Sequence, residues 1–420
     1  MSKDLYYHIR TISKLTKAWN QVYQNGIRSP SVETQKAVKE FRVDADRRLK
    51  KIQRQLYQKK FKFNPAKGVP VSISGKDARP IVVADIKDRI VQRSILDVIQ
   101  AQNSVSGYVN VPTSFGGLEG KSVRDAIEYV CRATKTGFRY YVTSDIKKFF
   151  TRIPRLKVIA ILTKLLPDQS LDYILDEASE TELKNLSLLG ARAELFPSYE
   201  LGVAQGCCLS PLFGNILLHD FDKELNSKPD EYICLRYIDD FIILGRNVQT
   251  VSKAFKSCRK ILKKLDMDAY LPSDGSGKAN EGLVSNGLEY LGCFMNESFV
   301  HPSRKKRNEL KNKIKILLSE RGQKLKMANS DSWCRDYSLI KTLQEVNNIL
   351  MGWGNQYSFC NSIDLFKGID NEIDKLIKKY FKVYSIVRNK MSDKNDNEGL
   401  RRLLGVHLLI ESNYNPILPI

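Results

Sequence analysis

Two adjacent carboxylates, Asp239 and Asp240, stand in the middle of Leu235-Arg-Tyr-Ile-Asp-Asp-Phe-Ile-Ile-Leu244. The bulky and β-branched flanks read as two short strands, which puts the acidic pair at a tight hairpin turn. Like charges side by side on such a turn are costly unless a cation neutralises them. Hard divalent ions take oxygen ligands, so Mg2+ is the simplest partner; a solvated Asp-Asp turn is the plainer alternative. A third carboxylate, Asp145, ends Tyr140-Tyr-Val-Thr-Ser-Asp145, which alternates as a strand and lies 94 residues before Asp239. An ordinary helix N-cap is the plainer reading of Asp145. Together the three carboxylates fit two-metal phosphoryl chemistry, with one ion activating an attacking hydroxyl and the other stabilising a leaving pyrophosphate. Proximity and charge neutralisation would carry most of the rate.

Other chemistries have less support. Eight cysteines are scattered without a C-x-x-C pair, and the four histidines are isolated, which argues against a zinc site or a disulfide framework. His219 reads more readily as a satisfied core histidine than as a base. The Ser114-Phe-Gly-Gly-Leu-Glu-Gly-Lys-Ser122 stretch precedes a helix and could cradle a phosphate through Lys121, although the Walker A spacing is not met.

The 420 residues suffice for two or three domains. Sixty-eight Lys and Arg against 47 Asp and Glu leave +21, a balance that implies a polyanionic partner, nucleic acid before an anionic membrane. Residues 1–68 alone hold 17 basic and 5 acidic side chains. No run of 18 apolar residues and no signal-peptide pattern is visible, so a cytoplasmic protein is expected.

The elements that must position the carboxylates follow in order. Residues 5–25 and 32–60 carry helical periodicity, the second strongly basic. Val69 to Val83 reads as strand, turn and strand about Gly75-Lys-Asp, and Asp85 then caps a helix with Ile86, Ile90, Ile95 and Val98 on one face. Residues 160–200 read as helices and loops. In Gln205-Gly206-Cys-Cys-Leu-Ser210-Pro211, Gly206 lets backbone approach a ligand, and Ser210-Pro211 reads as a cap with Pro at the first helical position. The helix after it carries Asn215 and His219, with Gln205 expected to point into the site. Residues 248–265 are an amphipathic helix, and Gly287 to Met295 a strand pair. From Arg304 to Lys326 ten basic and two acidic residues flank one apolar stripe, as in a helix laid along a nucleic-acid backbone. Residues 386–400 read as a polar linker and 401–413 as a short apolar helix.

Tyr237-Ile-Asp-Asp240 resembles the signature of reverse transcriptases, and the other motifs of that family follow in its order. They are Arg79-Pro-Ile, Ile86-Lys-Asp-Arg-Ile-Val-Gln92, Gly116-Gly with Lys121, Ser144-Asp-Ile-Lys-Lys-Phe-Phe150, Gln205-Gly-Cys-Cys-Leu-Ser-Pro211 and Leu288-Glu-Tyr-Leu-Gly292. The resemblance covers roughly residues 65–300. It implies an α+β right-hand polymerase with an antiparallel palm sheet: fingers with a basic helical extension over 1–135, palm over 136–300, and an all-α thumb and C-terminal region over 301–420. It implies that Asp145, Asp239 and Asp240, with the Ile146 carbonyl, hold two Mg2+ ions, or Mn2+. Arg79 and Lys121 resemble triphosphate-binding residues. Phe150 resembles the ring that excludes a 2′-OH, and Gln205 with Gly206 the loop over the incoming nucleotide. Leu288, Glu289, Tyr290, Leu291 and Gly292 resemble the primer grip. The run Arg304, Lys305, Lys306 and Arg307 is expected on the nucleic-acid backbone. Lys278 is a lower-ranked candidate for protonating pyrophosphate.

The group II intron-like, prokaryotic branch fits best, because Leu350-Met-Gly-Trp353-Gly-Asn355-Gln-Tyr357 resembles the thumb signature of intron-encoded enzymes. No zinc-bearing endonuclease module follows, and the retron markers are missing. What remains resembles stand-alone reverse transcriptases, many of them in anti-phage defence with a structured non-coding RNA. The expected partners are an RNA template, a DNA product and deoxynucleotides. Three alternatives stay open: an RNA-dependent RNA polymerase, against which Tyr-Ile and Phe150 argue; a maturase-like RNA-binding cofactor; and template-independent or protein-primed synthesis.

Overall fold

The computed structural model describes residues 4–73, 76–327 and 337–409. Gly75 of the expected fingers turn and residues 410–413 of the expected terminal helix lie outside them. The chain divides into two compact units, Met1–Leu283 and Val284–Ile420.

The first unit is α+β. Its N-terminal residues form helices Leu5–Ile9, Ile12–Ile27, Val32–Val43 and Ala45–Tyr57 rather than two long ones. The first break has a local cause: the Thr11 hydroxyl accepts from Lys14 N–H and starts a new helix. Next, β1 (Lys67–Ile73) and β2 (Lys76–Val83) pair antiparallel, as the pattern predicts. Asp85 stands at the N-cap of helix Ile86–Gln100 but does not cap it with its side chain; its carboxylate accepts from the Asn64 amide instead. The helix buries Ile90, Ile95 and Val98.

The central sheet contains β3 (Tyr140–Asp145), β4 (Tyr232–Tyr237), β5 (Asp240–Gly245) and β6 (Asn280–Leu283) in the order β4-β5-β3-β6, every pair antiparallel. The residues of β5 from Phe241 to Gly245 are all buried, which explains its unbroken apolar run. Helices Val123–Lys135, Ser210–Leu217 and Val248–Lys263 contribute to the same unit, the last through Val251, Ala254, Cys258, Ile261 and Leu262. β6 is an element the sequence hides: its Asn-Glu-Gly-Leu has neither alternation nor β-branching.

The second unit opens with a small antiparallel sheet, β7 (Leu288–Tyr290), β8 (Cys293–Met295) and β9 (Val300–Pro302). Helices Arg304–Met327, Leu339–Gln356, Ile363–Asp393 and Asn397–Leu404 follow. Leu310, Ile314, Leu318 and Leu325 bury one stripe of the basic helix, and Ile369, Ile373, Tyr380 and Tyr384 supply its counterpart. The stretches 386–393 and 397–400 are helical, contrary to the linker expectation for 386–400: Val387 and Met391 continue the apolar spacing of that core, and the helix expected over 401–413 instead runs Asn397–Leu404 and ends at Gly405.

Candidate active site at the head of the central sheet

The hairpin between β4 and β5 turns on Ile238 and Asp239, with Tyr237 and Asp240 as the closing pair. The two carboxylates therefore differ in setting: Asp239 belongs to the turn and is half-buried, whereas Asp240 is the first strand residue and is exposed. Ile238 has φ +61°, a left-handed conformation that a β-branched side chain rarely adopts and that costs about 1–3 kcal/mol. Register brings the third carboxylate to the same place. Asp145, at the end of β3, is the cross-strand partner of Asp240, so the two side chains share one face. The Ile146 N–H donates to the Asp239 carbonyl at 3.1 Å, tying the end of β3 to the turn. Burial, and then the Asp145 charge, push the Asp239 carboxyl up to about 6, against the weaker pull of Arg79 and Arg236. Asp145 and Arg79 thus both act electrostatically on Asp239, with Arg79 itself exposed on β2.

Several sequence candidates lie in the same unit as this turn. Phe150 packs against Phe149 with ring centroids 5.3 Å apart, and its carbonyl accepts from Val203 N–H at 2.8 Å. The chain two residues on, at Gln205, uses its carbonyl to accept from Val82 N–H at 2.8 Å, which joins the loop to β2. Gly206 has φ +114°, and a Cβ there would lie 2.8 Å from the Val82 carbonyl oxygen. The close approach expected of Gly206 is thus made to β2. Ser210 does not cap its helix; it is the first helical residue, and its hydroxyl donates to the Ala204 carbonyl, closing the same loop. His219 is buried and stacks on Tyr108 with centroids 3.6 Å apart, in keeping with a core histidine.

Lys121 requires a correction. Its ammonium is not turned to an open phosphate loop but donates to the Val111 and Ser114 carbonyls at 2.7 and 2.8 Å. The glycines before it also serve the turn: a Cβ on Gly116 would lie 2.6 Å from both Cγ1 and N of Ile238. On Gly117, at φ +71°, it would lie 2.6 Å from Pro211. The Gly116-Gly117 stretch is therefore a close-packed support for the hairpin.

That support includes residues the sequence reading did not single out. Arg236 is buried, and Asp222, also buried, receives its Nε–H at 2.7 Å and a second bond from Nη2. Nη1 donates to Asn215 Oδ1 at 3.0 Å and to the Ile238 carbonyl at 2.9 Å, while Nη2 also reaches Ser114 Oγ at 2.8 Å. Asn215 in turn donates to the Gly116 carbonyl at 2.9 Å. The signal was present: an arginine amid the apolar residues of a central strand needs a buried acid.

In the second unit, Leu291 and Gly292 form the two-residue turn between β7 and β8, with φ +49° and +78°. Leu288 and Tyr290 are buried and Glu289 points out. The Gly292 carbonyl accepts from Ser303 N–H at 2.9 Å. Of the basic run, Arg304 and Lys305 are exposed and Lys306 pairs with Glu309 at 2.8 Å. Arg304 and Arg307 line a cavity of about 440 Å³ with Lys311 and Glu372. Trp353 and Tyr357 pack ring to ring, with centroids 4.8 Å apart. No helix among the described residues is long and apolar enough to cross a membrane.

Residues 65–270 match the family described as reverse transcriptase (RNA-dependent DNA polymerase). An uncharacterized 91 kDa protein in the cob intron of Schizosaccharomyces pombe is 26% identical over 183 residues, 43% of this chain and 21% of its own length. The group II intron-encoded protein LtrA of Lactococcus lactis is 24% identical over 187 residues, 44% of this chain and 29% of its own. The chain therefore spans less than a third of either relative. The apo telomerase of Candida tropicalis, truncated from its C-terminal domain, superposes with a TM-score of 0.37 at 16% identity, over 57% of this chain and 54% of that one. The Asp145, Gln205 and Asp239-Asp240 segments all fall inside the matched stretch, so the part of the chain that carries the acidic turn is similar to the reverse transcriptase family.

Proposed function

We propose that this chain is an RNA-directed DNA polymerase that adds deoxynucleotides to a 3′-OH with two divalent ions, Mg2+ or Mn2+. The observation that carries the reading is the place of Asp145 at the acidic turn: it pairs across the sheet with Asp240, and after burial its charge is the next cause that pushes the Asp239 carboxyl up. Asp145, Asp239, Asp240 and the Ile146 carbonyl would hold the ions. Bound there, the metal would supply charge neutralisation and a more acidic attacking hydroxyl. Among the described residues, no three carboxylate, imidazole or thiol groups, Asp145, Asp239 and Asp240 included, already stand together as a metal site.

The other assignments follow from the resemblance of the motifs. Arg79 draws the triphosphate, Phe150 lies against the sugar, and the Gln205-Gly206 loop covers the base. Leu288 to Gly292 hold the primer, and Arg304 to Arg307 contact the backbone. Residues 1–135 serve as fingers, 136–300 as palm and 301–420 as thumb and extension. The resemblance to stand-alone prokaryotic enzymes supports a structured non-coding RNA as template and anti-phage defence as setting.

Primer extension on an RNA template with dNTPs or NTPs tests the reading. Wild type should prefer dNTPs, and Phe150→Ala should admit NTPs with a discrimination loss of about 100-fold, the scale of a misfit removed from a nucleotide pocket. A wild-type preference for NTPs would overturn it. Sequencing the products with and without co-purifying RNA separates templated from untemplated or protein-primed synthesis.

A further inference from the structure

We propose that Arg236 is a positioning residue for the catalytic turn: it holds Ile238 in its left-handed conformation and thereby sets where Asp239 and Asp240 stand relative to Asp145. The proposal rests on the polymerase reading given above, but its main test does not.

The geometry separates this role from ordinary ion pairing. A buried Arg–Asp pair needs only the two bonds to Asp222 to neutralise its charge. Arg236 spends its remaining donors elsewhere. One goes to the carbonyl of Ile238, the residue whose φ of +61° is unfavourable for a β-branched side chain. Two others go to Asn215 and Ser114, and both of these belong to the structure that packs on the same turn. Asn215 holds the Gly116 carbonyl, and Gly116 has no room for a Cβ against Ile238. Lys121 braces the Ser114 carbonyl from the other side. The backbone of Arg236 is held independently of the guanidinium, since its N–H donates to the Thr113 carbonyl and its carbonyl accepts from Phe115 N–H, both at 2.9 Å. One side chain thus joins the strand before the turn, the turn itself, the helix of Asn215 and the glycine loop. A strained conformation persists where its surroundings over-determine it, and this network is the over-determination.

Arg236→Lys distinguishes the role. A lysine still meets the Asp222 charge, but it lacks the planar fork that reaches Asp222 and Ile238 together. The variant should remain folded, with near-wild-type circular dichroism. Amide exchange across residues 237–241 should rise at least tenfold, while exchange in Val248–Lys263 stays unchanged. Mn2+ affinity, read by electron paramagnetic resonance on the protein without nucleic acid, should fall about tenfold. In primer extension kcat should drop roughly 100-fold, with the KM for dNTP within about threefold, since a displaced ligand acts on the chemical step more than on nucleotide capture. Adding Ile238→Gly, which adopts φ +61° unaided, should restore at least tenfold of the lost kcat. Wild-type exchange at the turn in Arg236→Lys, or a double variant no better than the single one, would overturn the proposal. If wild type has no polymerase activity, the proposed function fails, while amide exchange and Mn2+ affinity still decide the role of Arg236. If Arg236→Lys does not fold, Ser114→Ala, which removes one bond of the network, should raise exchange at 237–241 about threefold, and no change there would equally overturn it.

Discussion

The two sides of the Ile238-Asp239 turn treat charge in opposite ways. On one side, Arg236 is buried with Asp222, and its guanidinium bonds to Asn215, Ser114 and the Ile238 carbonyl as well. On the other, Asp145 pairs with Asp240 across the sheet, and burial, then repulsion from Asp145, pushes the Asp239 carboxyl up to about 6. Matched charge gives rigidity; unmatched charge gives a place where a cation is welcome. The contrast teaches that an electrostatic cost at the acidic turn sits beside a support in which every guanidinium donor of Arg236 is bonded.

Substitutions can break this contrast from either side. The largest effect is expected on the unmatched side, where Asp239→Asn should lower primer extension by at least about 100-fold, the scale of losing one electrostatic group at a transition state. On the matched side, Asp222→Ala leaves a buried guanidinium without its acid. It should cost about 3–5 kcal/mol in urea-induced unfolding, and a loss below about 1 kcal/mol would mean that the pair is not matched as described.

Asp88 sharpens the comparison away from the site. It is buried, accepts from Asn64 N–H at 3.1 Å, and burial pushes its carboxyl up to about 6 from the usual 3.8. The folded state therefore binds the proton more tightly than the unfolded chain does. The cost is full above about pH 6 and disappears as the pH falls through the window between 6 and 3.8. Asp88→Asn should accordingly raise stability at pH 7.5, by no more than about 3 kcal/mol, and the gain should vanish near pH 4. A gain of equal size at both pH values would exclude titration as its cause. The smallest effect belongs to Lys121→Met, which removes two carbonyl bonds. A loss of about 1–2 kcal/mol is expected with an unchanged KM for dNTP; a raised KM would return Lys121 to the nucleotide.

The sequence made the acidic residues legible because chemistry needs those types at strand ends, and it made β4 and β5 legible because a buried strand is apolar and β-branched. Arg79, Phe150 and Gln205 could be named from motif order, and the structure brings each into the first unit with the acidic turn. The direction in which Lys121 points was not legible. A lysine after glycines looks the same whether it meets a phosphate or two carbonyls of its own chain. Arg236 was in plain view inside the motif, but its acid, Asp222, lies fourteen positions earlier on a separate helix. Only tertiary packing pairs them. The break at Thr11 and the helix over 386–393 were missed for a related reason, since one hydroxyl cap or one continuing apolar stripe outweighs local composition.

The pairing of Asp145 with Asp240 has a further consequence, for the length of chain between them. The site depends on the register of β3 against β5, in which Tyr140 meets Gly245 and Asp145 meets Asp240, and not on the distance in sequence that separates the two strands. The intervening segment is free to grow or shrink wherever it does not touch that register. The short stretch from Leu186 to Leu188, whose Leu186 and Leu188 are exposed, is such a place. By contrast, one residue added inside β5, between Asp240 and Phe241, would turn every β5 side chain beyond it to the opposite face and invert that part of the core. The molecule is thus open to new surface features between its motifs and closed to any change of length within them.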